Sequence, residues 1–244
     1  MDTTSYVALS HMTALRREMD MVANNIANMS TSGFKTEKPL FTAFLNKAKN
    51  DLVSRERVAY VEDFGQVRNL EAGTISTTGN PLDIAINSEG YFSIQTPEGV
   101  HYTRAGNFNL NGDNQIVTRD GKPLLDDKGS PITIPPGTSN ITISNDGTVT
   151  ADSAPVARIV PVLFEDERGL EKLPDGLYKT DQTPEPGTRF ELRQGMLEGS
   201  NVQAVVEMTN MIDISRAYES AKRFVDREDD RMRDAIRKLA GNQS

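Results

Sequence analysis

The stretch that decides the fold is the C-terminal end, where residues 200–241 read SNVQAVVEMTNMIDISRAYESAKRFVDREDDRMRDAIRKLAG. Ser200 and Gln203 have the spacing of a capping box, in which the hydroxyl binds a helical amide and the Gln side chain returns to the cap amide. Apolar residues then recur at helical spacing, which predicts one amphipathic helix of roughly 60 Å with a coiled-coil seam. The seam comprises Met211, Ile214, Tyr218, Ala221, Val225, Met232, Ala235 and Leu239, with Glu228 interrupting it and Val205, Met208 and Ile212 widening it upstream. Acid-first i,i+4 pairs such as Glu219/Arg223 support the same helix.

The N-terminal end predicts a second helix from about Thr4 to about Ser32. Its seam comprises Ala8, Met12, Leu15, Met19, Val22, Ile26 and Met29. Gly33 follows where a helix stop favours left-handed backbone angles, and the helix would be about 45 Å long.

The middle of the chain has the opposite composition. All 12 prolines lie between Pro39 and Pro186, and residues 30–195 contain no Met. Turn signals that contain Gly recur there every few residues, which predicts short antiparallel strands in a sandwich or barrel-like domain. The predicted strands are Leu82–Ile86, Tyr91–Gln95, His101–Arg104, Gln115–Arg119, Pro131–Ile134, Ile141–Ser144, Thr148–Ala151 and Arg158–Phe164. Before them, Leu40–Leu52 is interpreted as a short helix, and Arg57–Val61 with Gln66–Leu70 as a hairpin.

The predicted fold class is therefore α+β, with long N- and C-terminal helices pairing as a coiled-coil-like domain around an inserted all-β domain. The predicted boundaries are 1–76 for the first helix and its connecting segment, 77–190 for the β-domain and 191–244 for the helix that completes the helical domain.

Composition excludes several classes of function. The chain has 27 Lys and Arg against 35 Asp and Glu, a net charge of −8, which argues against nucleic-acid binding. No run of about 18 apolar residues exists, so stable membrane insertion is not expected, and the polar N-terminus does not resemble a cleaved signal peptide. With no Cys and two His, the sequence predicts no disulfide, no metal centre and no cofactor.

No catalytic constellation is predicted. Residues 109–114 superficially suggest a calcium loop, but Asn114 stands where an EF-hand needs Gly, so we interpret the stretch as a polar hairpin turn. His101 is interpreted as a surface residue of a strand rather than as a member of a Ser–His–Asp triad. His11 is expected on a helix surface or interface.

The terminal helices predict self-assembly. A helix of 45–60 Å overhangs a domain of about 115 residues, whose radius of gyration is about 13 Å. Packing within one chain therefore leaves apolar surface for neighbouring chains. Amides such as that of Asn25 are expected to bridge neighbouring helices. The predicted assembly interface comprises Met12, Leu15, Met19, Val22, Asn25, Ile26, Met29, Val205, Met208, Met211, Ile214, Tyr218, Ala221 and Val225.

Three motifs carry a resemblance to a known family. Residues 24–35 (NNIANMSTSGFK) and residues 195–219, which begin GMLEGSNV and end RAYE, resemble the paired terminal signatures of bacterial flagellar axial proteins. Residues 78–86 (TGNPLDIAI) and 102–108 (YTRAGNF) resemble the shared rod and hook segments between them. The length and the single middle β-domain are similar to those of rod subunits. Residues 14–20 and 41–45 look more like a proximal-rod subunit than a distal one.

The resemblance implies a non-enzymatic structural subunit of the rod that crosses the periplasm. Its terminal helices would line the export channel and transmit torque from motor to hook. The implied partners are other rod proteins, further copies of the same chain and the flagellar export apparatus, which would export it without cleavage. The alternatives are a distal-rod or hook-type subunit, an adhesin or secretion-tip protein, and a carbohydrate-acting enzyme built on the β-domain.

Overall fold

A long helix stands at each end of the chain. In the computed structural model, which describes residues 3–47 and 57–241, helix α1 spans Thr3–Ala27 and helix α2 spans Ala204–Gly241. Short antiparallel strands fill the sequence between them, so the predicted α+β class with helices at both ends is confirmed. No helix within the described ranges combines the length and the apolarity needed to cross a membrane.

Both helices are shorter at their inner ends than predicted. Helix α1 stops at Ala27, and the chain turns through residues 28–33 before it becomes extended. Gly33 does adopt the left-handed conformation, with φ of +70°, but it closes this turn rather than the helix. The predicted capping box at Ser200 is wrong, because the Gln203 carbonyl accepts the Glu207 amide at 3.0 Å and so makes Gln203 the cap.

The segment after α1 forms a long hairpin. Strand β1 spans Glu37–Lys47 and strand β2 spans Arg57–Arg68, paired antiparallel with a register shift between Leu40 and Phe41. The predicted helix at Leu40–Leu52 is therefore wrong through residue 47, and its last five residues lie outside the described ranges. The predicted pairing of Arg57–Val61 with Gln66–Leu70 is also wrong, because Arg57–Val61 and residues 66–68 belong to the single strand β2.

The chain divides into two compact units, which we call the helical unit and the β unit. The helical unit comprises Met1–Ala27, Glu37–Asn69 and Gln203–Ser244, and the β unit comprises Asn28–Thr36 and Leu70–Val202. In the helical unit, α1 and α2 pack together through buried Leu15, Val22 and Ile214. The domain boundaries at 76/77 and 190/191 stay a prediction.

The β unit consists of short strands and one 3₁₀ turn at Glu167–Gly169. The strands are β3 (Ile75–Thr77), β4 (Ile84–Ile86), β5 (Phe92–Thr96), β6 (Gly99–Thr103), β7 (Asn109–Leu110), β8 (Ile116–Val117), β9 (Ile141–Ile143), β10 (Thr148–Ala151), β11 (Ala154–Arg158), β12 (Val162–Leu163), β13 (Glu171–Lys172), β14 (Tyr178–Lys179), β15 (Glu185–Pro186), β16 (Leu192–Gln194) and β17 (Met196–Glu198). They form a four-stranded sheet in the order β13-β14-β6-β5, a three-stranded sheet β11-β10-β9 and the pairs β12-β15, β16-β4, β17-β3 and β7-β8.

The β unit contains two apolar clusters: a smaller one of Tyr91, Tyr102, Phe164, Leu170 and Tyr178, and a larger one around Phe92 and Phe108. Phe92 and Phe108 meet edge-on in the larger cluster, with ring centroids 5.2 Å apart. The remaining fully buried side chains around them are mostly Ile and Leu from β4, β5, β8, β16 and the loops between them. Four of the eight predicted strands occur in shortened form, as β4, β8, β9 and β12. Tyr91–Gln95 and His101–Arg104 are shifted to the bounds of β5 and β6, and Thr148–Ala151 has the predicted bounds. Pro131–Ile134 is an exception, because it makes only isolated bridges.

Two predictions about single sites in the β unit have clear outcomes. Residues 111–114 form the predicted polar turn between β7 and β8, where the Asn111 side chain accepts the amides of Asp113 and Gln115. The surface position predicted for His101 is wrong, because its side chain is buried on β6 while neighbouring Val100 is exposed. Tyr102 and Thr103 are buried as well, so both faces of this end of β6 are covered, whereas the prediction assumed that one face was open to solvent. His11 is exposed on α1.

Candidate assembly interface

The inner seam is the contact face between the two helices. Leu15 and Val22 of α1 pack with Ile214 of α2, all three being buried. Partly buried side chains extend this packing on both helices: Met19, Ile26, Met211, Ala217 and Tyr218. The heptad spacing read from the sequence thus brings together residues of two helices in one chain.

A second apolar row, the outer stripe, occupies the first turns of α2. It consists of Val205, Met208 and Ile212, whose side chains are 79%, 49% and 52% exposed. At about 100° per residue, this row lies roughly a third of a turn away from Met211, Ile214 and Tyr218. It is therefore a separate face of the helix rather than a wider margin of the inner seam.

The predicted interface residues divide into three groups by burial. Leu15, Val22, Asn25 and Ile214 are buried; Met12, Met19, Ile26, Met211, Tyr218, Ala221 and Val225 are half-buried; Met29, Val205 and Met208 are exposed. Met29 belongs to the β unit, whereas the other residues belong to the helical unit.

Asn25 is occupied within its own chain. Its side-chain nitrogen donates to the Glu37 carbonyl at 2.9 Å, and its side-chain oxygen accepts the Glu37 amide at 3.1 Å. The amide of Asn25 thus takes the place of a strand residue at the start of β1, and the buried Glu207 carboxylate lies 3.5 Å away from its nitrogen. We assign Asn25 to the fold of the helical unit rather than to a bridge between subunits.

A buried charge cluster lies inside the β unit. The Glu198 cluster comprises Lys35, Arg104 and Glu198, whose side chains are at most 7% exposed. One Glu198 carboxylate oxygen lies 2.6 Å from Lys35 Nζ, and the other lies 2.6 Å from Arg104 Nε. The Gly73 amide also donates to this carboxylate at 2.9 Å.

Carbonyl groups satisfy the remaining donors of the two cations. Lys35 Nζ donates to the Glu71 carbonyl at 2.8 Å. The Arg104 guanidinium donates to the carbonyls of Ile86, Ser88 and Gly90. Buried charges are tolerated only with such complete pairing, because an unpaired buried charge costs several kcal/mol.

The electrostatics of the cluster favour an ionised Glu198. Burial alone would raise the pKa of Glu198, but the charge of Arg104 and the hydrogen bonds from Lys35, Arg104 and Gly73 hold that pKa below its ordinary value. Burial lowers the pKa of Lys35, and the charge and hydrogen bond of Glu198 only partly oppose this effect. The direction for Lys35 agrees with a site in which two cations share one anion.

The sequence reasoning missed this cluster. Each member lies in one of the three motifs quoted above: Lys35 ends residues 24–35, Arg104 lies in 102–108 and Glu198 lies in 195–219. A charged residue inside each motif was the available signal, but three single residues far apart in sequence do not reveal that they meet. Among the described residues, no group of three or more His, Asp or Glu is arranged to hold a metal ion.

Comparison with known families places three matches along the chain. A model described as "Flagella basal body rod protein" matches residues 6–35, and one described as "Flagellar hook protein FlgE/F/G D1 domain" matches residues 85–151. A third, "Flagellar basal body rod FlgEFG protein C-terminal", matches residues 193–238. These ranges contain Lys35, Arg104 and Glu198 in turn.

Individual relatives match almost the whole chain. The flagellar basal-body rod protein FlgF of Caulobacter vibrioides is 42% identical over 241 residues, covering 98% of each chain. FlgF of Rhizobium meliloti is 32% identical over 246 residues, covering all of both chains, and FlgG of Agrobacterium fabrum is 33% identical over 253 residues, covering 92% of this chain and 94% of its own.

The chain therefore belongs to the flagellar basal-body rod protein family. Within that family it is most like the FlgF proteins. The predicted class, a structural subunit of the flagellar rod, is confirmed by this membership.

Proposed function

We propose that the chain builds the rod through its helical unit. Helices α1 and α2 pair as a coiled-coil-like domain around an inserted β-domain, with functional boundaries near residues 76/77 and 190/191. The inner seam forms this pair, and the outer stripe contacts neighbouring subunits. Those neighbours are further copies of the chain and other rod proteins.

The observation that carries this proposal is the exposure of the outer stripe. Val205, Met208 and Ile212 are 79%, 49% and 52% exposed on a helix whose other apolar face is already packed. Burial of one such side chain stabilises a complex by about 1.5–3 kcal/mol, and exposed rows of this kind mark interaction sites. Further along the same face the residues become charged, beginning with Glu219 and Arg223, so the apolar contact is confined to the start of α2.

Membership of the family supports a wider role, which we infer as follows. The assembled helices line the export channel and carry torque from motor to hook across the periplasm, with the β-domain as a scaffold and without an enzymatic role. The chain reaches the flagellum through the export apparatus.

Met208→Asp tests the proposal directly. A charge at a subunit contact would be desolvated without a partner, which costs several kcal/mol in every copy. We expect cells with this variant to lack complete rods in purified basal bodies and to fail to swim. Because Met208 is half exposed in the single chain, the urea unfolding free energy should change by less than about 0.5 kcal/mol.

Ser220→Asp is the matched control. Ser220 is exposed on α2 and belongs to neither the inner seam nor the outer stripe, so this variant should assemble and swim normally. Complete rods and normal swimming with Met208→Asp would show that the outer stripe is not an assembly contact.

A further inference from the structure

We propose that the two chain segments that meet at the Glu198 cluster become ordered in a fixed sequence, and we call this contact the latch. Residues Gly33–Thr36, which follow α1 in sequence, seat in the β unit only after residues Glu198–Asn201, which precede α2, are in place. The proposal goes beyond rod assembly, because it concerns how the two connecting segments of a single chain become ordered.

Residues Gly33–Thr36 depend on the later segment for most of their bonds. The Gly33 amide donates to the Glu198 carbonyl at 2.9 Å, and the Asn201 amide donates to the Phe34 carbonyl at 3.3 Å. The Asn201 side-chain oxygen accepts both the Thr36 amide, at 2.7 Å, and the Thr36 hydroxyl, at 2.8 Å. Lys35 adds its ion pair with Glu198.

The later segment has an anchor of its own. Met196–Glu198 forms strand β17, which pairs with β3 from Met196↔Thr77 to Glu198↔Ile75. The Gly199 amide continues this contact by donating to the Thr74 carbonyl at 2.9 Å. Arg104 is likewise fixed by three carbonyls between Ile86 and Gly90. None of these bonds involves residues 33–36.

The number of buried cations and anions determines which of the two segments must be in place first. Among the described residues, Glu198 is the one acid that forms an ion pair with Lys35 or Arg104. Without Glu198 in place, seating Lys35 would bury two cations and no anion, whereas withdrawal of Lys35 leaves a balanced Arg104–Glu198 pair. Coupling between two segments is reciprocal in free energy, but the two segments keep unequal contacts when they separate. Residues 33–36 keep the Lys35–Glu71 hydrogen bond, the Lys172–Phe34 contact and a local Phe34–Thr31 bond, whereas the later segment keeps its strand pairing with β3.

Hydrogen exchange followed by mass spectrometry on the full chain tests the order. In Glu198→Gln, the amides of residues 33–36 should exchange at least about tenfold faster, since hydrogen bonds to a charged group are lost. Residues 75–77 and 196–198 should stay within about twofold of the wild-type rates. Glu191→Gln, at a half-exposed acid that pairs with Arg193 and Asn87, is the matched control and should leave all these segments unchanged.

Gly33→Ala tests whether the later segment stays ordered when residues 33–36 are displaced. Gly33 has φ of +70°, and an added Cβ would lie 2.6 Å from the carbonyl carbon of Arg104, so the substitution should displace residues 33–36. Their exchange should rise at least about tenfold while the β3–β17 ladder stays protected. If the ladder exchanges as fast as residues 33–36 in this variant, the order is wrong.

If Glu198→Gln does not fold, a milder variant provides the test. Asn201→Ala removes the acceptor of the Thr36 amide and hydroxyl without leaving a buried charge unpaired, and it should raise exchange at Thr36 about tenfold with β3–β17 unchanged. Wild-type exchange of residues 33–36 in Glu198→Gln, or in Asn201→Ala if the first variant is unfolded, would overturn the proposal.

Discussion

The two units of this chain differ in how completely they bury themselves. In the β unit, large side chains such as Phe92, Phe108 and Ile94 are fully buried, and the buried charges of the Glu198 cluster are paired inside the unit. In the helical unit, the apolar side chains described as buried are Leu15, Val22 and Ile214, while the outer stripe is left open.

This difference in burial indicates which unit completes its structure within one chain. The β unit buries its apolar side chains and pairs its buried charges within one chain, so it completes its structure without a neighbouring subunit. The helical unit rests on a single seam, and isolated long helices gain little stability without such packing. Covering the outer stripe offers a few kcal/mol per subunit, before the entropy cost of association.

Ile214→Asp should have the largest effect, because it should destabilise the helical unit and leave the β unit folded. Ile214 is buried between α1 and α2, so an aspartate there leaves an unpaired buried charge that should destabilise the helical unit by about 3–5 kcal/mol. Urea unfolding combined with hydrogen exchange should show loss of protection in α1 and α2 and retained protection in β5 and β6. Rod assembly and swimming should be lost as well.

Met208→Asp is the control that separates the two faces of α2. It introduces the same residue on the outer stripe, where the single chain leaves the side chain half exposed. Equal destabilisation of the helical unit by both substitutions would erase the distinction between inner seam and outer stripe.

Acid should weaken the β unit in a manner that depends on Glu198. The pKa of Glu198 is held below its ordinary value in the folded chain, so its contribution to stability is fully present above about pH 4.3 and is lost as the pH falls through the folded pKa. The groups that face it are Lys35 and Arg104, and Glu167 adds a weaker charge near Lys35. We expect the loss to be about 2 kcal/mol, the size of hydrogen bonds to a charged group.

Unfolding free energies measured from pH 6 down to pH 3 check this expectation. The Glu198→Gln variant should show a shallower decline with acid than the wild type. Glu191→Gln should show a smaller change, because the hydrogen bond from Asn87 also lowers the pKa of Glu191 but does so in contact with solvent. Parallel curves for wild type and Glu198→Gln would mean that other carboxylates govern the acid response.

His101→Ala should have a smaller effect, confined to the β unit. The imidazole is 4% exposed on β6, opposite Ile94, and its Nδ1 lies 3.4 Å from the Thr96 hydroxyl. Removal of this buried ring should lower the unfolding free energy of the β unit by about 1–2 kcal/mol, because a small cavity replaces it. A change below about 0.3 kcal/mol would fit a surface residue instead. Motility should persist.

The elements with a strong local signal were predictable from the sequence. The positions of Leu15, Val22 and Ile214 follow from helical spacing alone, and the structure brings them into one contact. The turn at residues 111–114 follows from the short polar side chain of Asn111, which binds nearby amides. In each case the physical cause lies within a few residues of its effect.

The elements that depend on distant partners were not predictable in this way. Strand β1 was interpreted as a helix, whereas it forms a strand by pairing with β2, from Glu37↔Arg68 to Lys47↔Arg57. The burial of both faces of β6 around His101 depends on its pairing with β5 on one side and β14 on the other. The Glu198 cluster joins residues up to 163 positions apart. The sequence next to a lysine or an arginine does not indicate that its side chain is buried.

Asp226→Asn should have the smallest effect and thereby sharpen the limits of the outer stripe. Asp226 is exposed on α2 and, at about 100° per residue, lies on the same side of the helix as Met208, five turns further along. The substitution removes one negative charge from the middle of the helix, far from either helix end, so the helix dipole is not involved. The unfolding free energy should change by less than about 0.5 kcal/mol, and purified basal bodies and swimming should match those of the wild type. If rods were missing in this variant, the contact face of α2 would extend into its charged half, and the division of that face into an apolar contact and a solvated remainder would be wrong.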